Sequence, residues 1–233
     1  MNMKKIHDEV KIMKTKIILA VVATALIVSS ASAGPDLIRF NDIVKPPGAN
    51  KIVTYSDGVT TEKVFAGELN FTWGTETFNT FCVEIDETIK PGEDYHYDVS
   101  QQAVEGGVGG GNPDPLDPAT AKIFRQYWFG NGLGWNPIDI QLAIWEIEQE
   151  IDLSKGVLNE DSTVYDTTAA SAIVAYGSTA TSNSGTYILN LWDDDQHTVA
   201  KQDVLYIPAP GAMLLGSVGL ALVGWLRRRN LSL

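Results

Sequence analysis

A single cysteine, Cys82, occurs in the 233 residues. No internal disulfide can form, so the fold must hold together without covalent staples. Histidine is almost as scarce. His7, His96 and His197 stand alone, with no HExxH pair, no Cys/His cluster and no GxSxG elbow, which argues against a conventional zinc or serine hydrolase. Positive charge is also short: 17 basic residues face 29 acidic ones, for a formal net charge of −12. The basic residues gather at the ends, and residues 34–206 hold nine against 27, a formal −18. Such a field repels nucleic acid and anionic lipid, so neither surface is an expected partner. Solubility in a cation-rich exterior is its plainest consequence.

No motif calls for a cofactor or a metal. Residues 106–111 are glycine-rich but lack the Lys and following Ser/Thr of a phosphate-cradling loop. Asp193, Asp194 and Asp195 are consecutive, whereas calcium loops place their ligands at alternate positions, so a solvated turn is expected there.

Long apolar runs are missing except at the two ends. Near the start, Lys11, Lys14 and Lys16 precede an apolar core at residues 17–28 and the small-residue triplet Ala31-Ser32-Ala33. That order predicts a signal peptide over residues 1–33, cleaved after Ala33. Met13 would open a more compact version of the same signal. At the other end, Pro208 and Pro210 break the chain before an uncharged run at residues 211–226, followed by Arg227, Arg228 and Arg229. The run is shorter than the roughly 20 residues of a comfortable membrane span, but snorkelling flanks extend its reach. The arginine triplet acts as a stop-transfer signal, keeping the tip cytoplasmic and everything upstream outside the inner membrane. A buried core helix is the alternative, though it has no need of three terminal arginines.

This tail, residues 207–233, resembles the PEP-CTERM sorting domain of Gram-negative bacteria, in which a Pro-Glu-Pro motif, a hydrophobic segment and a basic cluster close the chain. Ala209 stands where that family carries glutamate. Similar tails are also labelled ice-binding-protein C-terminal domains, a description of the tail that implies no ice binding. The resemblance implies temporary anchoring in the inner membrane, processing by an exosortase-type protease, and delivery to the cell surface or extracellular polymeric matrix. In that compartment an odd cysteine marks a reactive thiol or an intermolecular pair.

Residues 34–206 are long enough for one domain with a real core. Asp57-Gly58 between β-rich runs at 51–56 and 59–66 predicts a hairpin. Strands are expected at 68–73, 77–86 and 95–99, and a closing hairpin at 186–192 and 198–207. Asp117-Pro118 and Asn136-Pro137 are helix starts, predicting helices at 119–129 and 138–153. The second carries Ile140, Ile144, Ile147 and Ile151 on one core-facing stripe. A third helix is expected at 165–176. The fold class is therefore α+β: an antiparallel β-sandwich or barrel-like core with a helical insertion at about 119–176.

Two residues carry candidate chemistry. Alternation over 77–86 puts Phe81, Val83 and Ile85 on one face and Cys82 with Phe78 and Thr80 on the other. Gln141 borders the core stripe of its helix, on the side of Trp145 and Glu148. Phe81-Cys82-Val83 and Gln141-Leu142-Ala143-Ile144-Trp145 resemble the two motifs of bacterial thioester (TQXA) adhesin domains, with Ile140 in place of the usual threonine. The resemblance implies that the Cys82 thiolate attacks the Gln141 carboxamide and expels ammonia. The internal thioester left behind would acylate an amine on another surface, with Phe81 and Trp145 keeping water away. The alternative is that Cys82 is a small buried hydrophobe and Gln141 an ordinary polar residue. The expected function is a non-enzymatic exported protein that attaches covalently through Cys82 and Gln141. Beside it stands a structural or carbohydrate-binding matrix module with no reactive bond. An enzyme using Glu84, Asp86, Glu146 or Glu148 lacks a recognisable acid–base arrangement.

Overall fold

Asp57 closes the first hairpin by accepting the main-chain N–H groups of Val59 and Thr60 at 2.8 Å each, while Gly58 takes the left-handed φ of +71° that its turn requires. The computed structural model describes residues 37–130 and 133–208. The predicted signal peptide, Pro210 and the arginine triplet lie outside the described residues. Among those described, no helix is long and apolar enough to cross a membrane.

Twelve strands and three α-helices follow in chain order among the described residues: β1 (Ile38–Val44), β2 (Asn50–Thr54), β3 (Thr61–Phe65), β4 (Glu68–Trp73), β5 (Glu76–Thr80), β6 (Asp94–Ser100), β7 (Gln102–Ala103), β8 (Asp114–Pro115), α1 (Pro118–Trp128), α2 (Pro137–Ile147), β9 (Val157–Asn159), β10 (Val164–Tyr165), α3 (Thr168–Gly177), β11 (Tyr187–Trp192) and β12 (Ala200–Tyr206). The chain is α+β, mostly antiparallel sheet with a few helices. A six-stranded sheet runs β12-β11-β6-β1-β4-β5, a four-stranded one β10-β9-β2-β3, and β7 pairs with β8.

Both helix starts form as the sequence predicts. Asp117 and Asn136 accept the N–H groups of Ala119 and Ile138 at 2.6 and 3.0 Å, and a proline opens each first turn. Helix α2 ends at Ile147, earlier than its apolar stripe suggests. Gln149 turns left-handed, with φ +65°, and Ile151 is drawn out of helical register into a bridge with Tyr55. Nor does α2 present a single stripe, since every residue from Ile138 to Trp145 is buried. Ile138, Leu142 and Trp145 join one apolar cluster with Phe40, Phe71 and Leu189. Ile140, Ala143 and Ile144 join a second with Phe124, Ile173 and Ile188. A helix apolar all round is one packed from all sides.

The predicted strand at 77–86 divides. It leaves β4 after Thr80 and changes partner: Leu205 N–H donates to Phe81 O and Val83 N–H to Asp203 O, both at 3.0 Å, around an antiparallel Cys82–Val204 bridge. Residues 81–83 thus link β5 to β12, the two ends of the six-strand order. The chain bends afterwards, so Ile85 falls in the cluster of Cys82 and not with Phe81 and Val83. The glycine-rich segment is packed, not loose: Gly110 N–H donates to Gly106 O at 2.7 Å and Val108 N–H to the Glu150 carboxylate at 3.2 Å.

Candidate functional site

Cys82 sits on the seam between β5 and β12, and Gln141 lies one turn into α2. The seam bonds are made by Phe81 and Val83, so the Cys82 N–H and C=O point away from β12. Buried main-chain groups need partners, and here a side chain supplies them. Gln141 Oε1 accepts the Cys82 N–H at 3.2 Å and Gln141 Nε2 donates to Cys82 O at 2.9 Å. The carboxamide serves as a one-residue strand for an edge that has none.

The same geometry brings the cysteine sulfur to the carboxamide. Cys82 Sγ lies 3.4 Å from Gln141 Oε1. Cys82 is 4% exposed, Gln141 0% and Trp145 2%, so the contact is nearly dry. Trp145, one helical turn after Gln141, has no well-formed hydrogen bond on its indole nitrogen, yet that N–H faces the thiol closely enough to favour its ionised form.

Burial pushes the Cys82 thiol far above its ordinary range, its own main-chain N–H and the Trp145 indole pull it partway back, and the Glu150 and Glu84 carboxylates add to the rise. At neutral pH the sulfur therefore carries its proton, and thiols are weaker nucleophiles than thiolates. Attack on the amide would have to carry that proton towards the departing nitrogen. The Cys82 N–H on Oε1 is already placed where oxyanion charge would develop.

A cavity of about 210 Å³ opens onto the site, its wall including Cys82, Trp145, Ile43, Ile85, Glu62 and Glu87. Phe81, expected beside this pocket, faces the other cluster instead and packs edge-on against Tyr127 and Phe124, with ring centroids 4.9 and 6.4 Å apart. Alternation along 81–83 forces that outcome, because neighbours on a strand face opposite ways. Ile43 and Glu62, from β1 and β3, have no sequence signal tying them to Cys82.

Among the carboxylates weighed for acid–base chemistry, Asp86 is exposed, Glu146 accepts the Leu153 N–H at 2.8 Å and Glu148 accepts that of Asp117 at 3.3 Å. Glu84 instead meets Glu87 and Asp203, a grouping that residues so far apart in the chain gave no hint of. Asp193–Asp195 form the solvated turn: Asp194 accepts the Val199 and Gln196 N–H groups and Asp193 pairs with Lys201 at 3.0 Å. His197 Nδ1 lies 2.7 Å from Asp98 Oδ2 and stacks on Trp192, far in sequence from the candidate pair. Pro208 is the last described residue. Comparison with protein-family models, characterised proteins and solved structures finds no match for this chain.

Proposed function

We propose that the chain is an exported bacterial surface or extracellular-matrix protein, held at the inner membrane and sorted through its tail, whose domain attaches covalently through a Cys82–Gln141 thioester. The observation that carries this reading is the buried 3.4 Å contact between Cys82 Sγ and Gln141 Oε1, the oxygen borne by the carbon that a thioester would join. Export and exosortase processing rest on the sequence features of the two ends. The switch of residues 81–83 from β4 to β12 supports a barrel-like core, with the candidate bond on its closing seam.

The chemistry balances simply. The Cys82 S–H adds to the Gln141 carbonyl carbon, the thiol proton passes to the amide nitrogen, and ammonia departs to leave a thioester. A primary amine then attacks the same carbon, an amide forms, and the Cys82 thiol is released. Thioester formation removes the Nε2 donor from Cys82 O, and the new amide restores an N–H at that place. The attached product thus recovers a buried hydrogen bond that the reactive form gives up.

A specific observation also favours the second reading, a structural or carbohydrate-binding matrix module. The two hydrogen bonds from Gln141 to the Cys82 main chain are by themselves sufficient reason for a buried glutamine. Intact mass of the purified chain separates the two. With the thioester, the mass falls one ammonia short of the sequence value, methylamine is taken up, and Cys82→Ala abolishes both effects. A full sequence mass with one thiol titrating freely after denaturation rejects the thioester and selects the module.

A further inference from the structure

Three carboxylates from two distant parts of the chain meet beside the seam without a countercharge. Glu84 and Glu87 follow residues 81–83, and Asp203 lies on β12, where its carbonyl accepts the Val83 N–H at 3.0 Å. One carboxylate oxygen of each lies within 4.8 Å of the others. Glu84 is 2% and Asp203 1% exposed, and Glu87 is half-buried. Both Glu84 oxygens, Glu87 Oε2 and Asp203 Oδ1 receive no hydrogen bond from an N–H donor, and the Glu84 and Glu87 carboxyl groups lie in hydrogen-bonding contact with each other. Among the described residues no Lys, Arg or His pairs with any of the three. Their surroundings add negative charge from Glu150, Glu105 and Asp86.

Buried carboxylate oxygens without donors are costly, and the usual remedies are a proton or a metal ion. The arrangement around Asp203 favours the ion. Its Oδ2 is held by the Val104 N–H at 2.9 Å; with the Asn190 carboxamide turned end for end, its nitrogen would donate to the same oxygen at 3.3 Å and to Gln102 O at 3.2 Å. Oδ1 is left free while the group is fixed, as second-layer hydrogen bonds fix a metal ligand. The donors are all oxygen, which selects a hard cation over zinc or copper. Separations within 4.8 Å suit ligands around an ion at about 2.4 Å, the distance of calcium. Magnesium binds at about 2.0–2.1 Å and holds its waters tightly, a poor match to a buried pocket.

We infer that Glu84, Glu87 and Asp203 form a calcium site that fastens the Cys82-bearing segment to β12. The site is independent of whether Cys82 and Gln141 join covalently, since a purely structural seam needs the same fastening. An ion here replaces a cluster of uncompensated charge with three charge-assisted contacts, at a point where the chain has only a few main-chain bonds to hold its change of partner.

The full chain, stripped with chelator and desalted, would be followed by thermal unfolding at neutral pH as calcium chloride is added, with magnesium chloride in parallel. Calcium at about a hundred times its dissociation constant should raise the midpoint by roughly 5–10 °C, and magnesium much less. Glu84→Gln and Asp203→Asn remove a buried charge, so in chelator both variants should unfold at or above the parent's midpoint while losing the calcium response. That pairing separates loss of a ligand from loss of the fold. A parent midpoint indifferent to calcium overturns the site in favour of shared protons. A Glu84→Gln chain that still responds fully overturns the ligand assignment, and an equal magnesium response overturns the choice of calcium.

Discussion

Replacing Gln141 with alanine tests the seam directly. The wild-type carboxamide satisfies one buried donor and one buried acceptor, the Cys82 N–H and C=O, in a site where Gln141 is 0% exposed. Alanine leaves both groups orphaned at about 1–3 kcal/mol each and opens a small cavity, with water entry returning part of the cost. We expect a net loss of about 3–5 kcal/mol, a large share of the 5–15 kcal/mol typical of whole domains. Urea unfolding of the full chain should show the midpoint falling with the slope unchanged. Repeating the substitution in a Cys82→Ala background completes a cycle. The main-chain bonds survive in that background and only the weak S–H contact to Oε1 is lost, so a purely structural glutamine costs nearly the same in both, whereas a thioester cross-link makes the wild-type loss larger by more than about 1 kcal/mol. A loss below about 1 kcal/mol in either background would refute the claim that Gln141 substitutes for a missing strand.

Three further outcomes are expected. Gln141→Glu should be about as damaging as alanine at neutral pH, because a carboxylate oxygen would face Cys82 O, and should recover in acid, where an O–H can donate; no recovery in a pH series of unfolding curves would show that the Nε2 bond is unimportant. Glu148 is held above its ordinary 4.5, to about 8, first by burial and then by the nearby Asp117 and Asp114 charges, with the Thr120 hydroxyl and the Asp117 N–H opposing. Its contribution is therefore complete below pH 4.5 and is lost as pH rises towards 8, by up to about 1.4 kcal/mol per unit. Glu148→Gln should flatten that part of the curve, and an unchanged slope would be evidence against it. Gly109→Ala should destabilise by more than about 1 kcal/mol, since an added Cβ would lie 2.0 Å from Gln149 O; a neutral result would mean that the loop is free to move.

Local chemistry made much of the fold legible. The Asp57-Gly58 turn, the Asp-Pro and Asn-Pro helix starts and the aspartate turn each act within a few residues, and each forms where the sequence predicts it. Where long-range pairing competes with local pattern, the pattern gives way. Residues 81–86 alternate like a continuous strand, but hydrogen bonds to β12 take over after Thr80, and Ile151 leaves its helical stripe to bridge Tyr55. Strand β1, in a stretch that reads as an irregular lead-in, also escaped, as did the short β9 and β10, because two or three residues carry too little periodicity to detect.

For the site, the sequence by itself determined the chemical inventory: one cysteine, an excess of carboxylates, a glutamine on an apolar helix and two terminal segments whose pattern resembles export and sorting signals. Motif resemblance singled out Cys82 and Gln141, and no local signal required them to touch. Only the tertiary structure decided that the Cys82 main chain would lack a neighbour on one side, that the Gln141 carboxamide would fill the gap, and that Phe81 would face away. It alone drew Glu84, Glu87 and Asp203 together across 119 positions. The physical reason is common to all of these. Each depends on which strand residues 81–83 pair with, and strand pairing is settled by the packing of the whole core, not by the residues on either side.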